Sequence, residues 1–91
     1  MSSPEKLLQR QREIRTQIQN NLDILIGSVV RSPSMTGWCL TDKVRRRTVT
    51  RYVRKNIVAD ARRMSDQCQR LWKLLRQLSE VNWKRLRYRA Q

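Results

Sequence analysis

Ninety-one residues are the span of one small domain, and a chain this short buries only about two-thirds of the surface its unfolded form exposes. Twenty-one Lys and Arg against seven Asp and Glu leave a net charge of +14, more than solubility requires, and a surplus of that size repels itself unless a polyanion meets it. With no histidine and only Cys39 and Cys68, no four-ligand zinc set or Cys-x-x-Cys pair can be built, so neither metal nor cofactor is expected.

The charge is uneven. Residues 1–26 hold four basic and three acidic side chains, 27–55 hold eight and one, and 56–91 hold nine and three. The partner-facing surface is therefore expected in the last two-thirds. The longest apolar stretch, residues 22–30, is broken by Asp23, Gly27 and Ser28, which argues against a membrane span. The amino terminus has no signal-peptide pattern, so the expected setting is the cytoplasm, within a nucleoid-associated or other nucleoprotein complex.

Ser3 before Pro4 reads as an N-cap followed by proline at the first helical position. Leu7, Ile14, Ile18, Leu22 and Leu25 then recur at helical spacing, which predicts an amphipathic helix over 4–26 that Gly27 stops. From Gly27 to Lys55 the texture shifts to Ser, Thr, Val, Trp and Tyr, which predicts a β-meander over 28–53. Its three strands fall at Ser28–Arg31, at 37–40 and at Arg47–Val53, with turns at Pro33 and Ser34 and at Thr41, Asp42 and Lys43. In the third strand Val49, Arg51 and Val53 share one face and Thr48, Thr50 and Tyr52 the other, so one face is expected to rest on a helix. Asn56 is placed to cap a second helix over 56–88. There Ile57, Ala61, Met64, Cys68, Leu71, Leu75 and Leu78 follow the a/d spacing of a coiled coil, continued by Asn82. The first helix would cover only about two-thirds of that length. Leu74, Val81, Trp83 and Leu86 in the remainder suggest a protein partner or a second copy. The fold class is α+β in one domain, 1–91: N-terminal amphipathic helix, small three-stranded antiparallel sheet, long C-terminal helix with an a/d seam.

The strongest functional signal is Lys43, Arg45, Arg46, Arg47, Arg51, Arg54 and Lys55, seven cations centred on a hairpin and able to straddle a phosphate backbone. On the second helix Arg62, Arg63, Lys73, Arg76, Lys84, Arg85 and Arg87 extend the basic surface. The plainer reading is a solvated face with local pairs such as Asp66 with Arg70 or Glu80 with Lys84, the last cations complementing the helix dipole. Among the aromatics, Trp38 and Trp72 read as core. Tyr52 is interleaved with the charge, and Trp83 and Tyr88 are candidates for stacking on unpaired bases. Cys39 reads as a small, partly buried hydrophobe rather than a reactive thiol. Nothing resembles a catalytic constellation: there is no His, no glycine-rich phosphate loop and no carboxylate cluster for Mg²⁺. The reading is a non-catalytic DNA- or RNA-binding protein. Its alternative is an interaction module that dimerises, or docks on an enzyme, through the coiled-coil-like helix.

Three stretches also resemble a known group: Gly27-Ser28-Val29-Val30-Arg31, then Arg51-Tyr52-Val53-Arg54-Lys55 opening a helix, then the run from Leu71 ending in Leu78-Ser79-Glu80-Val81-Asn82. Over about residues 27–82 they are similar to a small, poorly characterised prokaryotic domain linked to transposon genes. Its members typically carry a cysteine-rich knuckle between the first two stretches, where this chain has Cys39 alone. The resemblance implies a helix, a small sheet and a long helix, with an accessory role beside a transposase or similar machinery.

Overall fold

The computed structural model describes residues 3–31 and 37–90. Its order is α1 (Pro4–Gln19), β1 (Ser28–Arg31), β2 (Trp38–Val44), β3 (Arg47–Val53), a short 3₁₀ turn (Lys55–Ile57) and α2 (Val58–Ala90), with an antiparallel sheet in the order β1-β2-β3. This is the expected α+β architecture. Among the described residues no helix is long and apolar enough to cross a membrane. The chain divides into two compact units, one from residues within Met1–Leu22 and Gln69–Gln91, the other from Asp23–Cys68.

The first unit is an antiparallel helix pair. Ser3 caps α1 as expected, its side chain accepting from the Lys6 amide, and Pro4 follows in the first turn. Leu7 and Ile14 on α1 and Val81 on α2 are buried together, with Ile18, Leu74 and Leu78 packed against them. Gln11 Nε2 donates to Asn82 Oδ1 at 2.8 Å, which places the expected polar member of the seam on the rim of this core. The helix ends at Gln19, not at residue 26. Asn20 is the C-cap, and Asn21 donates its side-chain amide to the Gln17 carbonyl at 2.7 Å, filling one of the orphan acceptors of the last turn. Two consecutive asparagines compete with the helix through such local bonds, and the apolar spacing beyond them serves another purpose.

That purpose lies in the second unit. Beyond Asp23 the chain runs without helical structure, the Leu25 amide donates to the Met64 carbonyl at 3.2 Å, and Leu25 packs with Val29, Trp38 and Leu40 onto a core of Val53, Val58 and Ala61. Gly27 is not a helix stop. It has φ +130°, a region L-residues rarely adopt, and a Cβ there would lie 2.5 Å from the Thr41 carbonyl oxygen. Ser65, buried in the first part of α2, donates its hydroxyl to the Gly27 carbonyl at 2.6 Å. The linker is thus fixed against both β2 and α2.

β1 and β3 have the expected bounds, but β2 runs on to Val44, so Thr41, Asp42 and Lys43 form strand rather than turn. The added pairs are Thr41 with Thr50, Asp42 with Val49, Lys43 with Thr48 and Val44 with Arg47. The turn expected at Pro33 and Ser34 lies outside the described residues. At the start of the second helix Asn56 sits inside the 3₁₀ turn and caps nothing; tight bonds such as Ile57 N to Arg54 O close the first turn instead. The buried stripe of α2 is Val58, Ala61, Ser65 and Cys68 in the sheet unit and Leu71 and Val81 in the helix pair. It shares Ala61, Cys68 and Leu71 with the expected seam. Ile57 lies in the 3₁₀ turn and is exposed, and Leu75 is exposed because a straight helix of period 3.6 drifts off a strict heptad.

Gly27→Ala is expected to lower stability by roughly 3 kcal/mol, since the new methyl meets backbone and the residue keeps a disfavoured φ. Ser65→Ala, which leaves the Gly27 carbonyl without its donor, should cost about 1–2 kcal/mol. Urea midpoints for the two variants check both values.

Candidate nucleic-acid interface

The β2–β3 connection consists of Arg45 and Arg46 alone, with φ 51° and 69°. Two central residues at positive φ are what a type I′ hairpin demands, and the usual occupants are Asn and Gly. An L-residue other than Gly or Asn in this region costs roughly 1–2 kcal/mol. The four extra ladder pairs, at about 1 kcal/mol per backbone bond, offset that penalty. The strand pairing therefore holds two arginines at a tight apex where their side chains are exposed.

The sheet has two unlike faces. Cross-strand partners put Val29, Arg31, Trp38, Leu40, Asp42, Val44, Arg47, Val49, Arg51 and Val53 on one, and Ser28, Val30, Cys39, Thr41, Lys43, Thr48, Thr50 and Tyr52 on the other. The first face is covered at its Val53 end by Leu25, Val58 and Ala61. Toward the apex it opens into a cleft of about 270 Å³ where Arg51 and Asp42 stand among Ile24, Ile26, Val44 and Val49. The second face carries exposed Ser28, Val30, Lys43, Thr48, Thr50 and Tyr52, while Cys39 is buried. The seven hairpin cations thus divide between the apex (Arg45, Arg46), the two faces (Arg47 and Arg51; Lys43) and the exit of β3 (Arg54, Lys55). All seven are exposed, and among the described residues none enters an ion pair.

The neighbouring α2 cations are engaged differently. The Arg62 guanidinium lies over the Trp38 ring, 5.2 Å from its centroid. Arg63 reaches Asp23 at 3.5 Å and Asp60 at 3.7 Å, exposed pairs worth about 0.5 kcal/mol each.

In the helix pair, Lys73, Arg76, Lys84 and Arg87 are exposed and recur at the 3-and-4 spacing of one α2 face, with Glu80 among them. The local pairs open to Asp66 with Arg70 and to Glu80 with Lys84 are not among the ion pairs of the described residues. Arg85 turns inward and lines a cleft with Pro4, Glu5, Leu8, Tyr88 and Arg89, so Tyr88 lies against the start of α1. Trp83 stays 56% exposed. Leu74 and Val81, expected on an uncovered overhang, are packed against α1 instead, because the seam drifts toward them. What remains exposed is a separate apolar stripe of Trp72, Leu75, Trp83 and Leu86.

One basic residue lies outside the sequence-based set. Arg31 is paired with Trp38, itself opposite Val53, so the three form one row across the sheet; Tyr52, on the other face, is 64% exposed. Only strand register brings Arg31 to the hairpin. The alternation that puts Tyr52 on the open face was the available signal. Compared with family models, with curated proteins and with solved structures, the chain finds no match.

Replacing Arg45 and Arg46 by Asn and Gly is expected to raise stability by about 1 kcal/mol, because both residues suit the turn and two repelling charges leave its apex. Thermal unfolding read by circular dichroism checks the direction; a lower midpoint would contradict the strain assigned to this turn.

Proposed function

We propose that the chain is a non-catalytic nucleic-acid-binding protein that grips phosphate backbones with the β2–β3 hairpin. The observation that carries this reading is the set of seven exposed hairpin cations without an ion-pair partner among the described residues. Exposed like charges at such density destabilise the compact state, and the strained arginine apex adds to that cost. Phosphates relieve the repulsion directly. Guanidinium forks donate to two phosphate oxygens at once, and each neutralised phosphate releases condensed counterions. Lys73, Arg76, Lys84 and Arg87 supply a second basic face of the same chemistry. An accessory place in a cytoplasmic nucleoprotein complex, beside a transposase or related enzyme, fits a binder with this much exposed basic surface.

A second reading rests on the stripe of Trp72, Leu75, Trp83 and Leu86, whose exposure suits a protein partner or a second copy of the chain. Under it, the purified protein freed of nucleic acid scatters light as a dimer, and Trp83→Ala with Leu86→Ala returns it to one chain.

The primary reading is tested by filter-binding titrations over a range of salt. The Arg45→Asn, Arg46→Gly variant keeps the turn and should flatten the slope of log affinity against log salt by about two; adding Arg47→Ala brings the change to about three. The loss should be similar across nucleic-acid sequences. An unchanged slope refutes the hairpin as the phosphate contact.

A further inference from the structure

At the end of the sheet opposite the arginine apex lies a cleft of about 410 Å³, lined by Arg31, Gly37, Trp38, Tyr52, Val53 and Lys55. Its aromatic wall is unusual. Tyr52 is 64% exposed although it sits in the body of a strand, and the residue beside it, Gly37, has no side chain: a Cβ there would lie 2.6 Å from Tyr52 Cε2. The ring is thus backed by bare backbone on one side and open to solvent elsewhere. Exposed Lys55 lines the same cleft from the 3₁₀ turn, while Arg31, at its other edge, belongs to the Trp38–Val53 row of the opposite sheet face.

A flat exposed ring with a cation in its own cleft, Lys55, and another further along its face, Lys43, matches the repeating unit of a single strand, a base with a phosphate on either side. Base–aromatic stacking needs a base face that is free, and within a duplex both faces are taken by neighbouring pairs. Exposed Lys43, Thr48 and Thr50 continue along the same sheet face from Tyr52 toward the apex, offering one charge and two hydroxyls to the next stretch of backbone. We infer that Tyr52 stacks an unpaired base, with Lys55 and Lys43 on the phosphates to either side, so that the protein prefers single-stranded over duplex nucleic acid. This rests on the phosphate-binding reading above and adds to it the form of the ligand.

The test compares the full chain with its Tyr52→Phe and Tyr52→Leu variants in fluorescence-anisotropy titrations at fixed salt. The probes are a labelled oligothymidylate of about ten nucleotides and a mixed-sequence duplex of matching length. Tyr52→Leu keeps apolar bulk beside Gly37 but has no π face. It should weaken single-strand binding by at least about fivefold, the lower end of one stack, leave duplex binding within about twofold, and leave the salt slope unchanged, since no charge is removed. Tyr52→Phe should bind as the parent does. Unfolding midpoints within a few degrees of the parent establish that the variants fold, and a misfolded Tyr52→Leu is replaced by Tyr52→Met, from which the same result is expected. Equal loss on both probes, loss in Tyr52→Phe, or no loss in Tyr52→Leu overturns the inference while the phosphate-binding reading stands. A parent that binds neither probe overturns both.

Discussion

The antiparallel ladder between β2 and β3 is the interaction on which the basic surface depends. Seven backbone pairings, from Trp38 with Val53 to Val44 with Arg47, keep two arginines in left-handed conformations that an isolated turn would abandon. The same ladder sets which cations face which way. A slip of one residue would move Arg47 and Arg51 to the threonine face and Thr50 and Tyr52 into the side covered by α2. Register is held from outside the hairpin as well: the Thr41 carbonyl lies where any side chain at Gly27 would have to go, and Ser65 fastens the Gly27 carbonyl to α2. Charge placement is thus a product of backbone pairing and one glycine, with few ion pairs to help it.

Both cores are small. One unit buries Leu7, Ile14 and Val81, the other Val53, Val58 and Ala61, each supported by half-buried neighbours. Against this stands a net charge of +14 distributed over both units. A chain that must hold so many like charges on thin cores is one whose compact state gains from an anionic partner, since anything bound to the folded form alone shifts folding toward it.

Much of the fold is legible in the sequence, and the failures are physically specific. Ser3 and Pro4 mark the start of α1, and the alternation of Thr and Val through residues 47–53 fixes β3, because those signals are local. The end of α1 is not legible, since Leu22 and Leu25 keep helical spacing while Leu25 in fact joins the sheet's core. The second turn is misplaced because Thr41, Asp42 and Lys43 have turn chemistry and Arg45 and Arg46 do not; long-range pairing overrides local preference there. The candidate site divides the same way. The hairpin cations follow from composition and spacing, whereas Arg31 joins them only through pairing with Trp38, a contact that crosses from one strand to another.

The sheet unit is continuous in sequence, while the helix pair is assembled from the two ends of the chain. Bringing those ends together across residues 23–68 as a flexible loop would cost about 3 kcal/mol in closure entropy. Yet within the sheet unit the first and last residues already meet: Asp23 touches Arg63, and the Leu25 amide reaches the Met64 carbonyl. Once folded, that unit replaces a long loop by a short clasp. The order of assembly expected from this has the meander and the first turns of α2 forming first and the helices zipping afterwards at little entropic cost. On that order the basic hairpin is expected to be in place before the chain's own termini have found each other.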